Sequence, residues 1–164
     1  MTAPHFVMLS NVDDPRWPIY IGKAVPSGAR KGAGLFAAIT GRHLWNRLRD
    51  HADSIRAAKN LDIEHFSCRY LCVDDIWIPL GETLLIAHFK PVWNLILDGF
   101  GNHDPGAGRY NGLRPLWDVL HPGRYWAEKC RARTDTPKQL ASAVSRFVIE
   151  NQPEPEGRIR FTPV

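Results

Sequence analysis

Cysteine is scarce in this chain of 164 residues: Cys68, Cys72 and Cys130 are all it has. An odd count cannot close a full disulfide framework. Cys68 and Cys72 stand four apart, with no C-x-x-C pair and no nearby histidine pair, so no structural zinc site is spelled out. On one strand the two would share a face about 13 Å apart, too far for a bridge. All three read as reduced thiols in packing roles, which points to the cytoplasm. Long apolar runs are missing as well. The longest, Leu84 to Phe89, falls far short of the roughly 18 residues that a membrane span needs. The opening Met1-Thr2-Ala3-Pro4 has no basic region with an apolar stretch behind it, so no signal peptide is expected. The glycine-rich stretches at 28–34 and 99–108 lack the G-x-x-x-x-G-K-[ST] pattern, which excludes a nucleotide-hydrolysing phosphate loop of that kind. No internal repeat and no low-complexity tract is present.

What is there is ordinary for a folded protein. Hydrophobic residues make up 44% and charged residues 23%, enough for a core and too little charge for disorder. A domain of this length buries roughly 68–70% of its unfolded surface, and the chain reads as one domain over 1–164, with a core to about residue 98 and an extension from about 99. Twenty-one Lys and Arg against 17 Asp and Glu leave a net charge of +4, the sign expected of a nucleic-acid partner. Basic residues gather at Arg30 and Lys31, along one helix at Arg42, Arg47, Arg49, Arg56 and Lys59, and again at Arg124, Lys129, Arg131 and Arg133. Taken alone, each cluster reads as a solvated face.

Local patterns suggest an α+β order of strand, helix, strand, helix, then an irregular extension. Pro18 to Lys23 is a short strand ended by glycine, and Ala24 to Gly34 is a loop. Leu44, Leu48, Ala52 and Ile55 recur at helical spacing, and a second strand is expected over Asp62 to Val73. Pro79 to Phe89 reads as a helix that Pro91 ends, turned inward through Leu80, Leu84, Leu85 and Phe89. Pro115 to Cys130 reads as short turns on the core. Thr136 caps a last helix with Pro137 at its first position.

Five residues stand out: Tyr20, Arg47, His51, Glu82 and Asn94. Arg47 and His51 are four apart on one helix, so their side chains meet on a face beside the apolar stripe. A basic group facing inward there needs an acidic or anionic partner. Glu82, among leucines, could be that partner in a simple ion pair with Arg47, and Tyr20 could be a core aromatic.

Together these residues resemble the GIY-YIG nucleases. Pro18-Ile19-Tyr20-Ile21-Gly22-Lys23 is similar to the second half of their signature, followed in order by Arg47 and His51, by Glu82, and by Asn94 after Pro91-Val92-Trp93. The resemblance is closer still to the type II restriction endonuclease branch. It is carried by Lys23-Ala24-Val25-Pro26-Ser27-Gly28-Ala29-Arg30, Asn46-Arg47-Leu48-Arg49-Asp50-His51, Phe66-Ser67-Cys68-Arg69, Asp98-Gly99-Phe100-Gly101-Asn102-His103, His121-Pro122-Gly123-Arg124 and Trp126-Ala127-Glu128-Lys129-Cys130, from about residue 18 to 130. The pattern also has an earlier tyrosine in a G-[IV]-Y strand, and no tyrosine precedes Tyr20 here. Two accounts stand open: a start upstream of Met1, or Phe6 at that strand position without the hydroxyl.

The resemblance implies a small antiparallel sheet flanked by helices and hydrolysis of DNA phosphodiester bonds near one divalent metal. Glu82 is then the ligand to Mg²⁺ (or Mn²⁺), and Arg47 neutralises charge growing on phosphate oxygens. Tyr20 holds or deprotonates the water, His51 supports that network or acts as base, and Asn94 fixes the phosphate or Tyr20. Lys23 is a spare candidate for water activation. A restriction reading further implies a homodimer on palindromic double-stranded DNA, with base contacts from the Arg30/Lys31 loop and from Asn102, His103 and Arg109. A catalytically impaired DNA-binding remnant and a structure-specific repair nuclease are the alternatives. The second usually carries a separate DNA-binding domain, for which this length leaves no room. His103-Asp104 alone does not make an HNH site.

Overall fold

The computed structural model describes residues 6–11, 13–24, 43–71, 73 and 77–151. The loop bearing Arg30 and Lys31, and Cys72, lie outside these residues. Three strands form one antiparallel sheet: β1 (Phe6–Asn11), β2 (Pro18–Lys23) and β3 (Phe66–Leu71). The order is β2-β1-β3, so β1 is the central strand and β2 an edge. Thus a strand precedes the first one expected from sequence patterns. Its Val7 and Leu9 are buried and stand opposite Gly22 and Tyr20 of β2. Alternation along a pleated strand puts both pairs on one face.

Helix α1 (His43–Ala57) follows, then β3, α2 (Ile78–Phe89), the single turn α3 (Val92–Leu95), α4 (Leu116–Leu120) and α5 (Pro137–Asn151). The mixed α+β fold is thereby as expected. In α1, Ile55 and His51 are buried while Leu44 and Leu48 flank the core, the stripe that the spacing implied. Thr136 caps α5: its Oγ1 accepts from Gln139 N–H at 3.3 Å, and Gln139 Oε1 accepts from Thr136 N–H at 2.9 Å. This is a capping box with Pro137 just inside it. Helix α2 ends where Lys90 takes a left-handed conformation, φ 46°, ahead of Pro91.

Four expectations need correction. Residues 63–65 form a 3-10 turn capped by Asp62, whose carboxylate accepts from Glu64 N–H at 3.0 Å, and extended backbone starts only at Phe66. That local bond offers the chain a turn in place of a ladder. In α2, Leu80 and Leu84 are 50% and 58% exposed, because the helix is apolar nearly all round and meets β2 through another face. Cys68 is exposed on β3 rather than packed, whereas Cys130 is buried beside Trp126 and Ala127. Arg124, grouped above with a solvated basic cluster, is 4% exposed and paired with Asp118. The main core joins β1, β2 and α1 to Trp93, Leu97, Phe100, Trp117 and Leu140.

Candidate active site

Tyr20 is 6% exposed on the core face of β2. Gly22, two residues on, shares that face, and the Tyr20 ring lies across it: a Cβ at Gly22 would stand 2.6 Å from the Tyr20 hydroxyl. The glycine of this motif is therefore a seat for the phenol. The ring meets His51 edge-on at 5.0 Å and Phe100 edge-on at 4.8 Å, while His51 and Phe100 stack at 4.8 Å with their planes 15° apart. Burial pushes the Tyr20 phenol up from its ordinary value; Arg47 opposes this and the charge of Glu82 adds to it. His51, 2% exposed, is held down to about 3 by burial first and then by Arg47, so its ring is neutral near pH 7. Its Nε2 is buried without a hydrogen-bond partner.

Arg47 reaches from α1 to the same place. One terminal nitrogen donates to the Tyr20 hydroxyl at 3.1 Å; the other donates to the Gly101 carbonyl at 3.1 Å and lies 3.0 Å from His103 Nε2. His103 in turn stands 3.8 Å from Asp50. The partners of Arg47 are thus a phenol, a backbone carbonyl and an imidazole, and no carboxylate of the described residues pairs with it. Its Nε is buried with no partner. Loop 99–103 comes so close here that a Cβ at Gly101 would lie 2.5 Å from the Tyr20 hydroxyl and 2.7 Å from Arg47.

Glu82 does not pair with Arg47. Its Oε2 is 2.6 Å from the ammonium of Lys23, with both side chains partly exposed. This brings Lys23, at the end of β2, onto the carboxylate from α2. Among the described residues no group of three His, Cys, Asp or Glu could hold a metal ion. The donor set therefore does not suit an ion caged by protein. It does suit one that keeps most of its shell as water and phosphate oxygens and takes one hard carboxylate oxygen, as Mg²⁺ does.

Asn94, from α3, uses both ends of its amide on Ile21: it accepts from Ile21 N–H and donates to Ile21 C=O, each at 2.8 Å. Because β2 is an edge, this amide stands where one residue of a further strand would, and it fixes the backbone next to Tyr20. Asn102, His103 and Arg109 are exposed and share the rim of a cleft of about 380 Å³. Beside it, Asp104 accepts from the hydroxyls of Tyr110 and Tyr125 at 2.9 and 2.8 Å, and Lys129 lies over both rings.

The structure thus gathers Tyr20, Arg47 and His51 into one cluster, Lys23 and Glu82 into a pair, and Asn94 behind Tyr20. Sequence reasoning did not single out Phe100, which stacks on His51, or the Gly101 carbonyl, which receives Arg47. The run Asp98 to His103 was visible as a motif, but a backbone acceptor has no side-chain signature.

No curated protein matches the chain. A family model described as the Eco29kI GIY-YIG domain matches residues 6–148. The matched span takes in all three strands, the helices that carry Arg47, Glu82 and Asn94, and the loop that closes on Tyr20. The chain therefore belongs to the Eco29kI GIY-YIG family, a restriction-endonuclease family of DNA-cleaving nuclease domains.

Proposed function

We propose that the protein is a type II restriction endonuclease, cutting both strands of a palindromic duplex as a homodimer with one Mg²⁺ (or Mn²⁺) held by Glu82. The observation that carries this reading is the state of Arg47. Its guanidinium is fixed by Tyr20, Gly101 and His103, lacks a carboxylate partner among the described residues, and keeps a buried Nε–H with nothing to bond. A half-buried cation with one inaccessible, unpaired N–H is a ready partner for an anion, which would satisfy that charge. A phosphodiester brings oxygens that a planar guanidinium can take in pairs.

The residues divide the work as follows. Arg47 binds the phosphate and gains strength as charge grows on its oxygens. Tyr20, kept protonated by burial, accepts from Arg47 and has its own O–H free to orient the attacking water. His51, neutral and stacked on Phe100, holds the phenol edge-on and positions it. Lys23 stands at the Glu82 carboxylate, where its ammonium can donate to the attacking water or to a phosphate oxygen. When bound at Glu82, the divalent ion supplies Lewis-acid polarisation and a more acidic water. Asn94 keeps the Tyr20 segment in place. Asn102, His103 and Arg109, on the cleft rim, supply contacts to bases or phosphates, and the same role falls to Arg30 and Lys31, which lie outside the described residues.

One observation favours the impaired-remnant reading: β1 sets Leu9 and Val7, not a phenol, opposite Tyr20 and Gly22. Plasmid and phage DNA incubated with the purified chain in Mg²⁺ or Mn²⁺ separates the readings. Discrete double-strand fragments at one sequence, from a species that sizes as a dimer, are expected. Binding without cleavage in either metal means the remnant reading, and cutting only of branched or flapped substrates means the repair reading.

A further inference from the structure

Arg124, buried in the second half of the chain, spends most of its donors on the backbone of one loop. Arg124 uses all five of its N–H donors. Its Nε donates to Asp118 Oδ1 at 2.6 Å and one terminal nitrogen to Asp118 Oδ2; the same nitrogen donates to Gly99 C=O at 2.9 Å. The other terminal nitrogen donates to Phe100 C=O at 2.9 Å and to Asn102 C=O at 3.2 Å. Its guanidinium carbon also lies over the rings of Trp117 and Trp126, each centroid 4.6 Å away. With every donor used and the side chain 4% exposed, this cation is not a phosphate contact.

It acts on the loop instead. Of the four carbonyls from Gly99 to Asn102, Arg124 collects three, and the remaining one, Gly101 C=O, is the acceptor for Arg47. The Phe100 ring, whose carbonyl Arg124 also holds, is the stacking partner of His51. We infer that Arg124 is a positioning residue for cleavage: by gathering the carbonyls of residues 99, 100 and 102, it presents the Gly101 carbonyl that sets the guanidinium of Arg47. A plain core ion pair would not need three carbonyls of one loop. This inference rests on the nuclease reading above.

The test uses Arg124→Lys, which keeps the charge and loses the fork, and the apolar pair Arg124→Met/Asp118→Leu, which removes both buried charges; such replacements are often tolerated. Each is compared with wild type in single-turnover cleavage below its own melting temperature, alone and combined with Arg47→Ala. The expected result is a rate loss of about 10- to 100-fold with DNA affinity within about threefold. In the Arg47→Ala background the further loss should be under about threefold, because the effect passes through Arg47. A folded variant that cuts at the wild-type rate overturns the inference, as does a loss that multiplies in full with Arg47→Ala. Should neither variant fold, ¹⁵N side-chain relaxation of the wild type decides: Arg47 and Arg124 Nε–H groups equally rigid supports the coupling, and a freely rotating Arg47 beside a rigid Arg124 refutes it. That measurement also stands if the wild type cuts no DNA, an outcome that sinks the nuclease reading by itself.

Discussion

Gly101→Ala makes the sharpest demand on the proposed site. The new Cβ would stand 2.5 Å from the Tyr20 hydroxyl and 2.7 Å from a terminal nitrogen of Arg47, where ordinary contact is roughly 3.5 Å. About 1 Å of movement is therefore required. Tyr20 cannot give it: the ring is 6% exposed and wedged between His51 and Phe100. Arg47, at the end of a flexible side chain, moves instead and loses its 3.1 Å bond to Tyr20. The lost bond costs about 0.5–1.5 kcal/mol net, while replacing glycine at a φ that alanine accepts returns about 0.4–1 kcal/mol, so stability should change by no more than about 1 kcal/mol. Catalysis is less forgiving. A 1 Å misplacement of a transition-state donor costs about 10²-fold in rate, or about 2.7 kcal/mol. Single-turnover cleavage of a plasmid carrying the site, with melting temperatures measured in parallel, reads both quantities. Gly108→Ala, where a Cβ meets nothing within 4 Å, is the control and should match wild type in both. A Gly101→Ala protein that is stable and cuts within about threefold of wild type refutes the claim that Arg47 must sit where it does.

Glu82→Ala should abolish cleavage in Mg²⁺ and leave DNA binding nearly intact; cleavage within a few-fold of wild type would remove Glu82 from the metal role. Arg47→Ala should slow cleavage by about 10²-fold or more, with little loss of melting temperature, since its partners are two neutral oxygens and an exposed imidazole. Asn94→Ala strands the N–H and C=O of the fully buried Ile21 and should cost about 2–4 kcal/mol in urea unfolding; a loss under about 0.5 kcal/mol would show that the strand edge finds other partners. His51 has its folded pKa depressed to about 3, so below about pH 6.5 the unfolded chain binds a proton that the native chain refuses, and stability falls as pH drops. His121, depressed to about 4, acts in the same direction. His51→Phe should shrink the stability loss between pH 7 and pH 5 by roughly 2 kcal/mol, and an unchanged slope would mean that His51 is protonated in the native state.

The parts of this fold that a sequence exposes are those governed by a period. The spacing of Leu44, Leu48 and Ile55 gives α1 and its inward face, and with them the side on which Arg47 and His51 meet. Thr136-Pro137 gives the start of α5. Period fails where a segment is apolar nearly all round: α2 has no polar stripe to orient it, and its spacing gives no sign that Leu80 and Leu84 are on the exposed side. It fails again at β1, whose six residues hold Val7, Met8 and Leu9 in a row. Three apolar residues in a row show no alternation, although Val7 and Leu9 are buried and Met8 between them only partly so.

Arg124 shows a different limit. In sequence it stands near Lys129, Arg131 and Arg133, and charge patterning treats the four alike. What separates it is Asp118 six residues earlier and the flanking Trp117 and Trp126, which desolvate it and leave only backbone carbonyls as further partners. None of these is diagnostic by itself, because the clamp exists only once loop 99–102 folds beneath it. The same holds for the site as a whole. The strand gives Tyr20 and the helix gives Arg47, but each could be a core aromatic or a surface cation until an irregular loop supplies Phe100 against His51 and the Gly101 carbonyl against Arg47. A loop glycine is chosen there for what it lacks: the approach that closes the site leaves no room for a single added carbon.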